Sequence, residues 1–86
     1  MNPTDIRAVI KDELGRIAPE VDFETIDPEA SLREQVDIDS MDFLNLVTAL
    51  TQRLGVDIPE VDYPKFATLQ RAINYLVQKA QASGPS

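Results

Sequence analysis

Three stretches of this chain repeat apolar residues at spacings of three and four, and that period selects helix over strand. The first carries Ile6, Val9, Ile10, Leu14 and Ile17, and the second Phe43, Leu46, Val47, Leu50 and Leu54. The third carries Leu69, Ala72, Ile73, Leu76, Val77 and Ala80. There is no convincing strand alternation and no internal repeat. Pro3 suits the entry to a first helix over about residues 4–18, and Pro19 ends it. A second helix spans Ser40 to Leu54, with Gly55 just beyond its end. Asp62 is placed to cap a short helical segment through Phe66, with Pro64 in its first turn, and Thr68 to cap the last long helix. Residues 19–39 hold Pro19, Pro28 and many acids, and read as a long loop. Its apolar residues Val21, Phe23, Ile26, Leu32, Val36 and Ile38 imply that it packs across the helices. The expectation is an all-α fold: a small four-helix bundle with three longer helices, one short helix and a long loop between the first two. A single domain is expected over residues 1–86, with its core about 4–80 and a disordered tail at 83–86.

What the chain lacks narrows its chemistry. Without cysteine there is no disulfide framework, thiolate metal site or thiol nucleophile. Without histidine it loses the commonest general base near neutral pH and the commonest zinc ligand. A self-sufficient enzyme is therefore disfavoured, and any thiol chemistry needs a prosthetic group to bring the sulfur. Apolar runs are far too short for a membrane span, and the amino terminus lacks signal-peptide organisation. A soluble, cytoplasmic, monomeric protein is expected.

The net charge of −7 is unevenly spread. Between Glu20 and Asp62, twelve acids face only Arg33 and Arg53, while residues 1–19 balance and residues 63–86 are positive. That field disfavours nucleic acid and anionic lipid, and steers basic protein surfaces toward the central segment.

Within that segment, Asp39-Ser40-Met41-Asp42 opens the second helix. Asp39 can serve as N-cap, reinforced by Asp42 in the first turn, so the Ser40 hydroxyl is not needed for capping. A free hydroxyl at a helix N-terminus lies where backbone N–H groups and the macrodipole favour an attached phosphate. Taken alone, Asp39-Ser40-Met41 also reads as an ordinary helix start.

The order of landmarks resembles the acyl carrier protein family over roughly residues 4–80. They are Asp39-Ser40-Met41, the helix with Leu44, Leu46, Val47, Ala49 and Leu50, then Gly55-Val56-Asp57-Ile58-Pro59, and finally Ala72-Ile73-Asn74-Tyr75-Leu76. The resemblance implies a non-catalytic carrier bearing 4′-phosphopantetheine on Ser40. The group would come from coenzyme A through a phosphopantetheinyl transferase with Mg²⁺, with Asp39 assisting the metal and transferase contacts. Acyl groups would ride as thioesters on its thiol, and Phe43, Leu46, Val47, Leu50, Ile58, Ala72 and Ile73 become candidate lining for an aliphatic chain. Met41, Asp42 and Asn45 become candidate contacts for acyl-activating and acyl-transferring enzymes or synthases.

The chain also departs from the family pattern. Asp37 stands where the family commonly has glycine, and Met41 replaces the usual leucine, a volume-conserving exchange. Asn45, Thr51, Gln52 and Arg53 occupy positions that are often acidic in fatty-acid carriers, leaving Asp42 the helix's only acid. A carrier specialised to one lipid or natural-product pathway is the expectation. Aminoacyl or peptidyl cargo, and a helical interaction module without a prosthetic group, stay open as alternatives. An EF-hand starting at Asp37 fails, because its fifth, sixth and twelfth positions are Met41, Asp42 and Thr48.

Overall fold

The computed structural model describes residues 2–83. Four α-helices run in chain order: α1 (Pro3–Ile17), α2 (Leu32–Val36), α3 (Ser40–Leu54) and α4 (Leu69–Ser83). Two 3₁₀ segments, Phe23–Thr25 and Glu60–Phe66, complete the order. Helix α1 packs against α3 and α4, and α4 also packs against the longer 3₁₀ segment.

The helix ends follow local chemistry. Asn2 caps α1 by accepting a hydrogen bond from the Asp5 N–H at 2.8 Å, which leaves Pro3 in a first-turn position where its missing N–H costs nothing. Asp39 caps α3, accepting from the Asp42 N–H at 2.8 Å. Gly55 closes α3 in the left-handed region at φ 65°, where a side chain would be strained. Thr68 accepts from the Arg71 N–H at 3.1 Å and caps α4.

The stripes meet in one core. Ile6, Ile10 and Leu14 from α1 join Leu46, Val47 and Leu50 from α3 and Leu69, Ala72, Ile73 and Leu76 from α4. The segment between α1 and α3 does pack across the bundle, burying Phe23, Ile26, Leu32, Val36 and Ile38. It is more ordered than a loop. The Asp22 carboxylate accepts from Glu24 N–H, and the Gln35 amide bonds both backbone groups of Asp27. The Leu32 N–H donates to Ala67 C=O, and the Gln70 N–H to Pro28 C=O, both at 2.9 Å.

Three sequence expectations change. The stretch read wholly as loop contains α2, whose Leu32 and Val36, four residues apart, face the core together. Asp62 caps nothing, because the segment already begins at Glu60. Its carboxylate instead accepts a 2.6 Å hydrogen bond from the buried Tyr75 hydroxyl, a donor that needs a partner once removed from water. Burial, with the Asp62 carboxylate behind it, pushes the Tyr75 phenol well above its ordinary value. Ser83, assigned to the tail, is the last residue of α4, while residues 84–86 lie outside the described part. Among the described residues no helix is long and apolar enough to cross a membrane.

Candidate functional site around Ser40

Ser40 is the first residue of α3 and is exposed. Because Asp39 fills the capping role, the Ser40 hydroxyl makes no bond to its own helix. It accepts instead from Arg33 Nη2, at 3.3 Å. The same guanidinium lies over the Phe43 ring, 5.3 Å from its centroid, a cation–π distance. Phe43 in turn meets Tyr63 edge-on, with ring centroids 6.3 Å apart.

These side chains edge a cleft of about 600 Å³ between the start of α3, α2 and the 3₁₀ segment Glu60–Phe66. Ser40 and Arg33 stand on its wall with Phe43, Leu44, Tyr63 and Phe66. A polar hydroxyl thus opens onto a largely apolar recess. Of the residues expected to line an acyl pocket, only Phe43 borders this cleft. Leu46, Val47, Leu50, Ile58, Ala72 and Ile73 are buried in the packed core behind it.

Arg33 is the site residue that periodicity could not reveal. It belongs to a helix of five residues and comes beside Ser40 only when α2 packs on the backbone of Ala67. A lone cation seven positions before the serine was the available signal. Asp37 sits just after α2 with φ 52° and ψ 46°, in the left-handed region. That conformation gives a physical reason for glycine at this position, and aspartate is among the few other residues that tolerate it.

Beyond Ser40, α3 presents one exposed stripe: Met41, Leu44, Asn45, Thr48 and Gln52. Met41 is 74% exposed and Leu44 47%, and none of the five is charged. Asp42 stands beside the stripe and is partly buried. Thr51 turns away, its hydroxyl donating to Val47 C=O at 3.0 Å. Arg53 does not make the helix end cationic, because it pairs with Asp12 at 2.7 Å and Glu13 at 2.6 Å. Hydrogen bonding to Arg53 holds the Asp12 carboxyl below its ordinary value.

The order of elements has counterparts in known proteins. The family described as "Phosphopantetheine attachment site" matches residues 4–76. Over 77 residues the chain is 34% identical to the acyl carrier protein of Rubrobacter xylanophilus, covering 90% of this chain and 89% of that one. Identity and coverage are the same for the acyl carrier protein of Thermosynechococcus vestitus. An acyl carrier protein from Enterococcus faecalis shares the fold, with a TM-score of 0.72 at 17% identity over 92% of this chain and 99% of that chain. The chain belongs to the acyl carrier proteins, non-catalytic carriers built around 4′-phosphopantetheine.

Proposed function

We propose that Ser40 is the residue that carries the 4′-phosphopantetheine of this carrier. The observation behind this reading is an exposed hydroxyl at the start of α3, released from capping by Asp39, beside a cation and open to a cleft. The surroundings fit a phosphodiester: helix N–H groups and a guanidinium favour the charge, and nothing buries the oxygen. When bound, the group supplies the thiol that holds acyl cargo as thioesters.

Arg33, the side chain bonded to the Ser40 hydroxyl, is always protonated and cannot take its proton. A phosphopantetheinyl transferase therefore supplies the base and the Mg²⁺ site. In that step the Ser40 oxygen bonds to phosphorus, the pyrophosphate link of coenzyme A breaks, the nucleotide leaves, and the hydroxyl proton passes to the transferase base. Asp39 uses one carboxylate oxygen for the cap and would offer the other toward the transferase's Mg²⁺ site.

Cargo of the aliphatic kind enters past Phe43, and the core formed by Leu46, Val47, Leu50, Ile58, Ala72 and Ile73 parts to shield it. Acyl-activating and acyl-transferring enzymes or synthases dock along the stripe from Met41 to Gln52, with Asp42 and Asn45 at its near end. Because that stripe is uncharged, docking relies on polar and apolar contacts more than on ion pairs. This favours a specialised lipid or natural-product pathway, served by a monomer in the cytoplasm.

Intact-mass measurement after incubation with coenzyme A and a broad-specificity transferase tests the assignment. Wild type should gain one phosphopantetheinyl group. Ser40→Ala should gain none and keep its helical circular dichroism, because Asp39 still caps α3. An unmodified wild type beside a fully modified control carrier would defeat the reading. For the docking face, Asn45, Thr48 and Gln52 replaced together by glutamate should improve use by enzymes that recognise acidic carriers, mainly through association rate and more at low salt. Equal use of the unaltered protein would return it to general fatty-acid service.

A further inference from the structure

We infer that Arg33 is the built-in counter-ion of the phosphodiester on Ser40, holding the root of the prosthetic arm at the mouth of the cleft. The inference rests on Ser40 being the attachment residue.

Arg33 is one of two cations in a segment with twelve acids, and the two are treated oppositely. Arg53 grips two carboxylates. Arg33 pairs with no carboxylate among the described residues, although Glu34 and Asp37 are its near neighbours in sequence and Asp39 and Asp42 flank the serine. Its guanidinium is held over Phe43 and its Nη2 is directed at Ser40 Oγ. A neutral hydroxyl is a weak partner for such a group, whereas a phosphate is a strong one, accepting from its fork of N–H donors.

The backbone underneath is fixed independently of the guanidinium. Leu32 and Val36 are buried, and the Leu32 N–H is bonded to Ala67 C=O. Arg33 is therefore carried to the serine by the packing of α2, before any anion is present. Attachment adds a negative charge where Asp37, Asp39 and Asp42 already crowd the helix start. Asp39 opposes that charge from the N-cap of α3, Asp42 from its first turn and Asp37 from the end of α2, while Glu60 stands across the cleft. Arg33 is the cation in contact with the attachment oxygen.

A cycle of four proteins tests this: wild type and Arg33→Gln, each unloaded and loaded to completion with excess transferase, with loading checked by intact mass. The quantity of interest is the change in melting temperature on loading. Loss of the Arg33–Phe43 contact lowers both forms alike and cancels. Wild type should melt as high or higher once loaded, whereas Arg33→Gln should melt lower. The two changes should differ by about 2–5 °C, and the difference should shrink in about 0.5 M salt. Arg33→Lys should restore part of it, and the ³¹P resonance of the loaded protein should move in Arg33→Gln. Equal loading effects in all three sequences with an unmoved ³¹P resonance would overturn the role of Arg33 while leaving the attachment intact. A wild type that gains no mass would overturn the attachment and this inference with it.

Discussion

The two ends of α3 are built on opposite plans. At its C-terminal end, Arg53 ties Asp12 and Glu13 of α1 to the helix, and Glu13 is only 5% exposed. At its N-terminal end, Arg33 touches a ring face and a hydroxyl, Met41 and Leu44 stand in solvent, and a cleft lies open. One end satisfies its charges within the chain and so contributes to holding the bundle together. The other leaves a cation unmatched by a carboxylate among the described residues, a hydroxyl outside the cap and apolar surface in solvent, which is what an attachment and docking site requires. The same helix serves both because its inward stripe anchors it along its whole length.

The largest effect should come from that stripe. Leu50 is fully buried, and Leu50→Ala should cost about 2–5 kcal/mol, enough to leave a domain of this size close to unfolding. Leu44→Ala, on the exposed stripe, should stay within about 0.5 kcal/mol in chemical denaturation. Comparable losses would show that the open end is structural after all.

Next in size is the closed end itself. In the unloaded protein, Arg53→Gln should lower the melting temperature clearly more than Arg33→Gln, because it strands the buried Glu13 carboxylate. Acid separates the two ends further. Asp12 has a folded pKa below its ordinary value, chiefly through the hydrogen bond from Arg53. Its contribution is therefore complete above the unfolded value of about 4 and is lost as pH falls through the lower folded value. The deficit of Arg53→Gln relative to wild type should shrink as melting is followed from pH 6 toward pH 3. The small deficit of Arg33→Gln should not follow that curve, since no carboxylate among the described residues pairs with it. Parallel pH profiles would erase the distinction between the ends.

How much was legible in the sequence follows the same division. Helices α1, α3 and α4 announce themselves through long stripes and through Asp39, Gly55 and Thr68 at their ends, all local signals. The position of Ser40 at the start of α3, free of the cap, was legible for the same reason. The cleft was not, because Tyr63, Pro64 and Phe66 come from a 3₁₀ segment with no helical period and meet Ser40 only after the chain folds. Helix α2 escaped because five residues are too few for periodicity to register, and Arg33 escaped with it. Asp62 was misassigned because a cap and a tertiary hydrogen-bond acceptor look alike in sequence. Only the buried Tyr75 hydroxyl distinguishes them.

The smallest predicted effect concerns the support beneath the open end. Asp37 ends α2 with a positive φ that brings its Cβ close to backbone oxygen, a conformation glycine adopts without that cost. Asp37→Gly should therefore stabilise the unloaded protein by about 0.5 kcal/mol, the relief of strain being partly offset by the greater freedom glycine gives the unfolded chain. Removing a negative charge near Asp39 and Asp42 works in the same direction. Asp37→Asn isolates that electrostatic part, since asparagine also tolerates the left-handed region, and it should gain less than glycine does. Asp37→Ala removes the same charge but keeps a Cβ without a polar side chain to compensate, so it should lose stability. Denaturation midpoints in the order glycine, asparagine, aspartate, alanine would assign the cost to the backbone at the hinge between α2 and α3. If alanine matched asparagine, charge alone would account for position 37, and the strain at the open end would carry no measurable energy.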